Sequence, residues 1–170
     1  EPSGNEMSMK EAIQEGEKQL VLMAALGAVP QSVLEYLGFN AAAKLGTARD
    51  SEDGSVYSFW YISYSPDPGM SGLDGNLLIT LDAETGKVYS AQWFRKHGKD
   101  KVNALETGLA YARYMNIQAK PMKVSEDGNF ASFISKDGKL LISVYPVDDF
   151  GLGMHISIEA LEPVKIPDRS

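Results

Sequence analysis

Ser51-Glu52-Asp53-Gly54 returns as Ser125-Glu126-Asp127-Gly128, and the match continues through Ser58-Phe59 and Ser132-Phe133 at a constant spacing of 74 residues. Six positions of the two ten-residue windows are identical. Each window reads as a strand, an Asp-Gly turn and a second strand, because Asp and Gly accept the positive φ angles that a tight hairpin needs. The chain therefore reads as two copies of one unit. Asp-Gly hairpins are common, so a chance match is the competing explanation.

The flanking element order agrees with duplication. Apolar residues recur with period 2 over Thr47-Arg49, from Val56 to Tyr64, from Leu77 to Leu81 and from Val88 to Phe94, each stretch bounded by Gly, Pro or Asp, which predicts a four-strand meander. Four more short strands are expected near Met122, Phe130, Leu141 and Ile156. Ser8 followed by Glu11 is a capping box, and a helix from Met9 to Leu26 with Ile13, Leu20 and Ala24 at helical spacing should follow, stopped by Gly27. Pro30 opens a second predicted helix whose buried stripe is Val33, Leu34, Leu37 and Ala41, with Gly38 weakening its end. Asp100 caps a third, carrying Val102, Leu105, Leu109 and Ala112.

The 74-residue spacing lays the third helix on the second, so the first has no counterpart. The expected fold is α+β: two helix-plus-four-stranded antiparallel meander repeats with an extra N-terminal helix, the helices lying on one face because each element has one apolar side to hide. The organisation reads as a linker over 1–7, a first repeat over 8–96, a second over 97–163 and a tail over 164–170.

A chain of 170 residues buries roughly 70% of the surface its unfolded form exposes, enough for a core without disulfides. Cys is absent, which removes disulfides, thiolate metal sites and Cys nucleophiles together. The formal net charge of −7 argues against nucleic acid, since the basic residues cluster only at Arg95, Lys96, His97, Lys99 and Lys101, which read as a solvated connector. The longest apolar run, Leu20 to Leu26, is too short to span a bilayer. The polar start Glu1-Pro2-Ser3-Gly4-Asn5 resembles the linker after a removed signal peptide or a lipid anchor, so an extracytoplasmic place is expected.

No residue cluster has the spacing that a particular reaction demands. His97 and His155 are the only histidines; His155 alternates with Met154 and Ile156 and reads as a partly buried structural residue. The Gly-x-Ser-x-Gly elbow, the phosphate-binding Gly-rich loops and the His-Glu-x-x-His helix do not occur. The segment from Asp67 to Asp74 has carboxylates but lacks the ligand order of a calcium loop. No cofactor and no metal site are therefore expected, and a hydrolase built on scattered carboxylates is the remaining catalytic alternative.

The aromatic residues are more informative. Along the strand from Val56, Tyr57, Phe59 and Tyr61 fall on one side and Trp60, Ile62 and Tyr64 on the other. Both sides are apolar, so something must cover the second, either the other repeat or a loop, or else a partner docks there. Trp60, Tyr64 and Trp93, with Tyr89, are the candidate contact residues.

The run Leu77-Leu78-Ile79-Thr80-Leu81-Asp82-Ala83-Glu84-Thr85-Gly86-Lys87-Val88 resembles the closing hairpin of PepSY-like domains, in which a hydrophobic strand enters an Asp-x-x-Thr-Gly-Lys-Val turn. The resemblance extends over Pro30 to Phe94. In the second half Val147-Asp148-Asp149-Phe150-Gly151 replaces the Thr-Gly-Lys turn. The tandem order is also similar to bacterial β-lactamase-inhibitor proteins, whose Cys pattern is missing here. These resemblances imply a non-catalytic, secreted or envelope-anchored binding module that regulates or inhibits a peptidase. A small-ligand or glycan carrier using the same aromatic surface is the alternative.

Overall fold

The computed structural model describes residues 4–67, 69, 75–94, 102–147 and 153–161. The Asp100 cap, the basic connector with His97, most of the 67–74 segment, the 148–152 turn and the 164–170 tail lie outside the described residues.

Helix α1 (Met9–Leu26) begins as its sequence dictates. Ser8 Oγ accepts from Glu11 N–H at 3.2 Å and the Glu11 carboxylate accepts from Ser8 N–H at 2.8 Å, satisfying two donors the first turn would orphan. Gly27, at φ 86°, takes the left-handed stop. The segment after Pro30 is one short 3-10 helix, Gln31–Tyr36, and the expected helix stops there. Gly38 sits at φ 87°, which ends helical geometry, and Ala41 belongs to the next strand.

Strands β1 (Asn40–Arg49), β2 (Val56–Ser65), β3 (Leu77–Asp82) and β4 (Val88–Phe94) form the predicted meander, with β1 starting earlier than its alternation announces. The second α-helix, α2 (Ala104–Tyr114), starts later than expected: Asn103, not Asp100, caps it, its Oδ1 accepting from Glu106 N–H at 3.1 Å, and Val102 precedes the helix. A second meander follows in β5 (Ala119–Val124), β6 (Ala131–Ser135), β7 (Leu140–Pro146) and β8 (Gly153–Ala160).

The two meanders are continuous in one antiparallel sheet of order β1-β2-β3-β4-β8-β7-β6-β5, joined where β4 pairs with β8. Helix α1 packs on β1 to β3 and α2 on β5 to β7, so the fold is α+β with a single sheet. Helix α1 thus covers the first meander as α2 covers the second. The 3-10 segment stands between α1 and β1.

The repeated tetrapeptide is out of step with the strands. Hairpin β1–β2 closes at the pair Arg49–Val56 and hairpin β5–β6 at Val124–Ala131, a spacing of 75 residues (Val56 to Ala131) against 74 for the motif. A one-residue slip in a strand moves a side chain to the other face. Phe133 is accordingly buried beneath α2, whereas its sequence match Phe59 points to the uncovered side.

The core lies between helices and sheet. Ala12, Leu20 and Met23 of α1 and Ala104 and Tyr111 of α2 close over Trp60, Ile62 and Ile79 and over the seam residues Trp93 and Ile156. Close approach is built in at two glycines. Gly16 of α1 sits against the Tyr64 hydroxyl, and Gly108 of α2 sits against the Phe133 ring, where a methyl group would have no room.

Candidate functional site on the uncovered sheet face

Burial alternates strictly along the second half of β2: Ser58, Trp60, Ile62 and Tyr64 are buried, and Tyr57, Phe59, Tyr61 and Ser63 are not. The alternation assigns the candidate contact residues to the opposite side from the one anticipated. Tyr64 and Trp93 are 1% and 0% exposed and Trp60 is 9% exposed, all beneath the helices. Trp60 Nε1 donates to Met7 O at 3.0 Å and the Tyr64 hydroxyl to Ile13 O at 2.9 Å, so both rings tie the sheet to the N-terminal segment. These three are core residues and present nothing to a partner. Tyr89 alone of the four belongs to the uncovered face.

On this face the exposed aromatic side chains are Tyr57 and Tyr61, 46% and 50% exposed, with Phe59 and Tyr89 half-buried beside them. Phe59 and Tyr89 meet edge to face, their centroids 5.8 Å apart. Tyr61 lies across Gly46 of β1, a position where any Cβ would strike the ring. The glycine therefore sets the angle at which the Tyr61 ring stands on the sheet.

Sheet irregularity opens a cleft beside these rings. A register shift between Thr80 and Leu81 displaces the start of β4, and β4 pairs with β8 only over Ser90–Phe94 and Gly153–Ser157. Beyond Ser157 the strands part, and the fork holds a cleft of about 800 Å³. Its walls are Tyr57, Phe59, Tyr61 and Tyr89, its apolar depth is Met115, Ile117 and Ile158, and Asp50, Asp82 and Glu159 stand at it. Burial, then the Asp82 charge, pushes the Tyr89 phenol up, so this side chain stays neutral.

A shallower hollow of about 300 Å³ continues along the same face past Leu78, Gln92 and His155, sharing Tyr61, Thr80 and Ser90 with the cleft. Ser90 Oγ donates to Thr80 Oγ1 at 2.9 Å across the floor. The His155 ring packs on Tyr145 at 4.9 Å, and burial lowers its pKa, as suits the structural role its strand position implied.

The turn that carries the PepSY-like resemblance is held by backbone chemistry. Asp82 Oδ1 accepts from Glu84 and Thr85 N–H at 2.9 and 2.7 Å, and Gly86 takes φ 76°. Among the described residues no three His, Asp or Glu side chains lie close enough to hold a metal ion. No helix among them is long and apolar enough to cross a membrane.

Sequence reasoning identified the aromatic strand and missed its orientation. Both parities of β2 are aromatic, so that strand alone does not say which is covered. Its neighbour does: Leu77, Ile79 and Leu81 alternate with Thr80 and Asp82 in β3, and Ile62 pairs with Ile79 and Trp60 with Leu81. The parity of β2 that pairs with the wholly apolar parity of β3 is the core. The chain matches no protein-family model, no curated protein and no solved structure.

Proposed function

We propose that this chain is a non-catalytic, extracytoplasmic bacterial binding module whose working surface is the uncovered face of the sheet, and that it docks a protein partner there. A peptidase is the partner class that the PepSY-like resemblance implies. The observation that carries the reading is the group of unburied rings, Tyr57, Phe59, Tyr61 and Tyr89, gathered on the face that no helix among the described residues covers. Antiparallel sheets that leave one face to water normally present polar residues there, and aromatic anchors are what protein contacts are enriched in. We also read the two helix-plus-meander halves as two copies of one unit, supported by their matching element order.

The test is capture from envelope and secreted fractions with the native chain and a Tyr57→Ala/Tyr61→Ala double variant as parallel baits. Both side chains are about half exposed, so the variant keeps its circular dichroism. A protein retained by the native chain and lost by the folded variant is the expected result. A partner retained equally by both places the contact elsewhere and overturns the reading.

The cleft favours a second reading, a carrier of a small ligand or glycan. Its volume falls within the range of small-molecule sites, roughly 300–1,000 Å³.

A further inference from the structure

We infer that the cleft at the β4–β8 fork takes a small organic cation, a quaternary or protonated amine carried on a compact apolar body. The inference rests on the uncovered face being a binding surface and names the group its cleft accepts. Four rings, Tyr57, Phe59, Tyr61 and Tyr89, wall the cleft, and the faces of such rings attract a cation through their quadrupoles. Three carboxylates, Asp50, Asp82 and Glu159, add negative charge, and no Lys, Arg or His is among the described residues that line the site.

Among the described residues nothing compensates that charge. None of the three carboxylates forms an ion pair among the described residues. Lys87, five residues from Asp82, turns to the helix side instead. Its Nζ donates to Tyr114 O at 3.3 Å and stands 4.6 Å from the Tyr114 ring centroid. The cleft therefore offers what a cation needs, aromatic rings and carboxylates without an ion-pair partner among the described residues, beside the apolar side chains of Met115 and Ile117. An anion of the same shape meets repulsion from all three acids, and a neutral one gains only the apolar contact.

Three probes of nearly equal size separate these terms: choline, its neutral isostere 3,3-dimethylbutan-1-ol, and the anion 3,3-dimethylbutanoate. Each is titrated into the full chain while the aromatic resonances of Tyr57, Phe59, Tyr61 and Tyr89 are followed by NMR. Choline should shift these signals saturably and bind at least roughly tenfold tighter than the neutral isostere, the anion weakest of all, and its affinity should fall with added salt. Glu159→Gln and Tyr61→Leu, both at unburied positions, should each weaken choline roughly 3- to 30-fold with native circular dichroism.

Equal affinity for choline and the alcohol would overturn the cation assignment while leaving the face a binding surface. Choline shifts centred on other residues, or no saturable shift, would also overturn it. The protein-docking reading stands or falls separately on the Tyr57→Ala/Tyr61→Ala capture.

Discussion

At Val88, beside the register shift of β3, two tyrosine hydroxyls from α2 satisfy the main chain. The Tyr111 hydroxyl donates to Val88 O at 2.7 Å, and Val88 N–H donates to Tyr114 Oη at 3.0 Å. Tyr114 in turn donates to Gln19 Oε1 at 2.6 Å, so one hydrogen-bonded chain links β4, α2 and α1. Burial raises the Tyr111 phenol well above its ordinary pKa, and burial chiefly pushes Tyr114 up to about 12. Unfolded tyrosine ionises near pH ~10. Above that value the native state keeps protons that the unfolded state has lost, so stability falls as pH rises and continues to fall through the folded pKa. Urea midpoints should therefore drop between about pH 8 and about pH 11, and a Tyr111→Phe/Tyr114→Phe variant, weaker at neutral pH, should show a flatter decline. An equal decline in both proteins would place the alkaline sensitivity outside this chain of bonds.

At the level of elements, legibility follows how much of an element's own surface is buried. Helix α1 is readable to its ends because cap, stripe and stop agree, and β2 to β4 are readable because alternation there is strong. Strand β1 is not: Ala41-Ala42-Ala43 has no alternating pattern, and the strand is an edge whose burial is slight. The segment after Pro30 has helical spacing at Val33, Leu34 and Leu37, yet Gly38 limits it to one short 3-10 piece. The uncovered face is half legible. Its rings are visible in β2, but the cleft depends on Met115, Ile117 and Ile158 arriving from distant segments, and no local pattern announces that. Gly108 makes the complementary point. In an exposed helix interior, Gly→Ala stabilises by about 1 kcal/mol. Here the added methyl meets the Phe133 ring, so Gly108→Ala should destabilise by about 1–3 kcal/mol, the range for overpacking. A thermal or urea midpoint that rises instead would show that α2 can lift from the sheet.

For the whole molecule, the repeated tetrapeptide points to the architecture by a route that does not survive in detail. The element order around it agrees between the halves, while the motif itself is one residue out of step with the strand pairing. What the sequence could not convey is that the two meanders share a sheet, because the pairing of β4 with β8 is encoded only in complementary side chains such as Ala91 opposite Ile156. That seam also bears on how the chain folds. Within each meander every strand pairs with its neighbour in sequence, whereas Ser90 must find Ser157 across most of the second half. Ordering so long a stretch before any contact repays it is entropically unfavourable, so the half-sheets form early and the seam closes late. Trp93→Leu, opposite Met154 across the seam, should then speed unfolding and leave the folding rate nearly unchanged, while Ile79→Ala, inside the first meander, should slow folding; stopped-flow chevrons would read both. The strand pair that makes the protein one body is, on this account, the last part of it to exist.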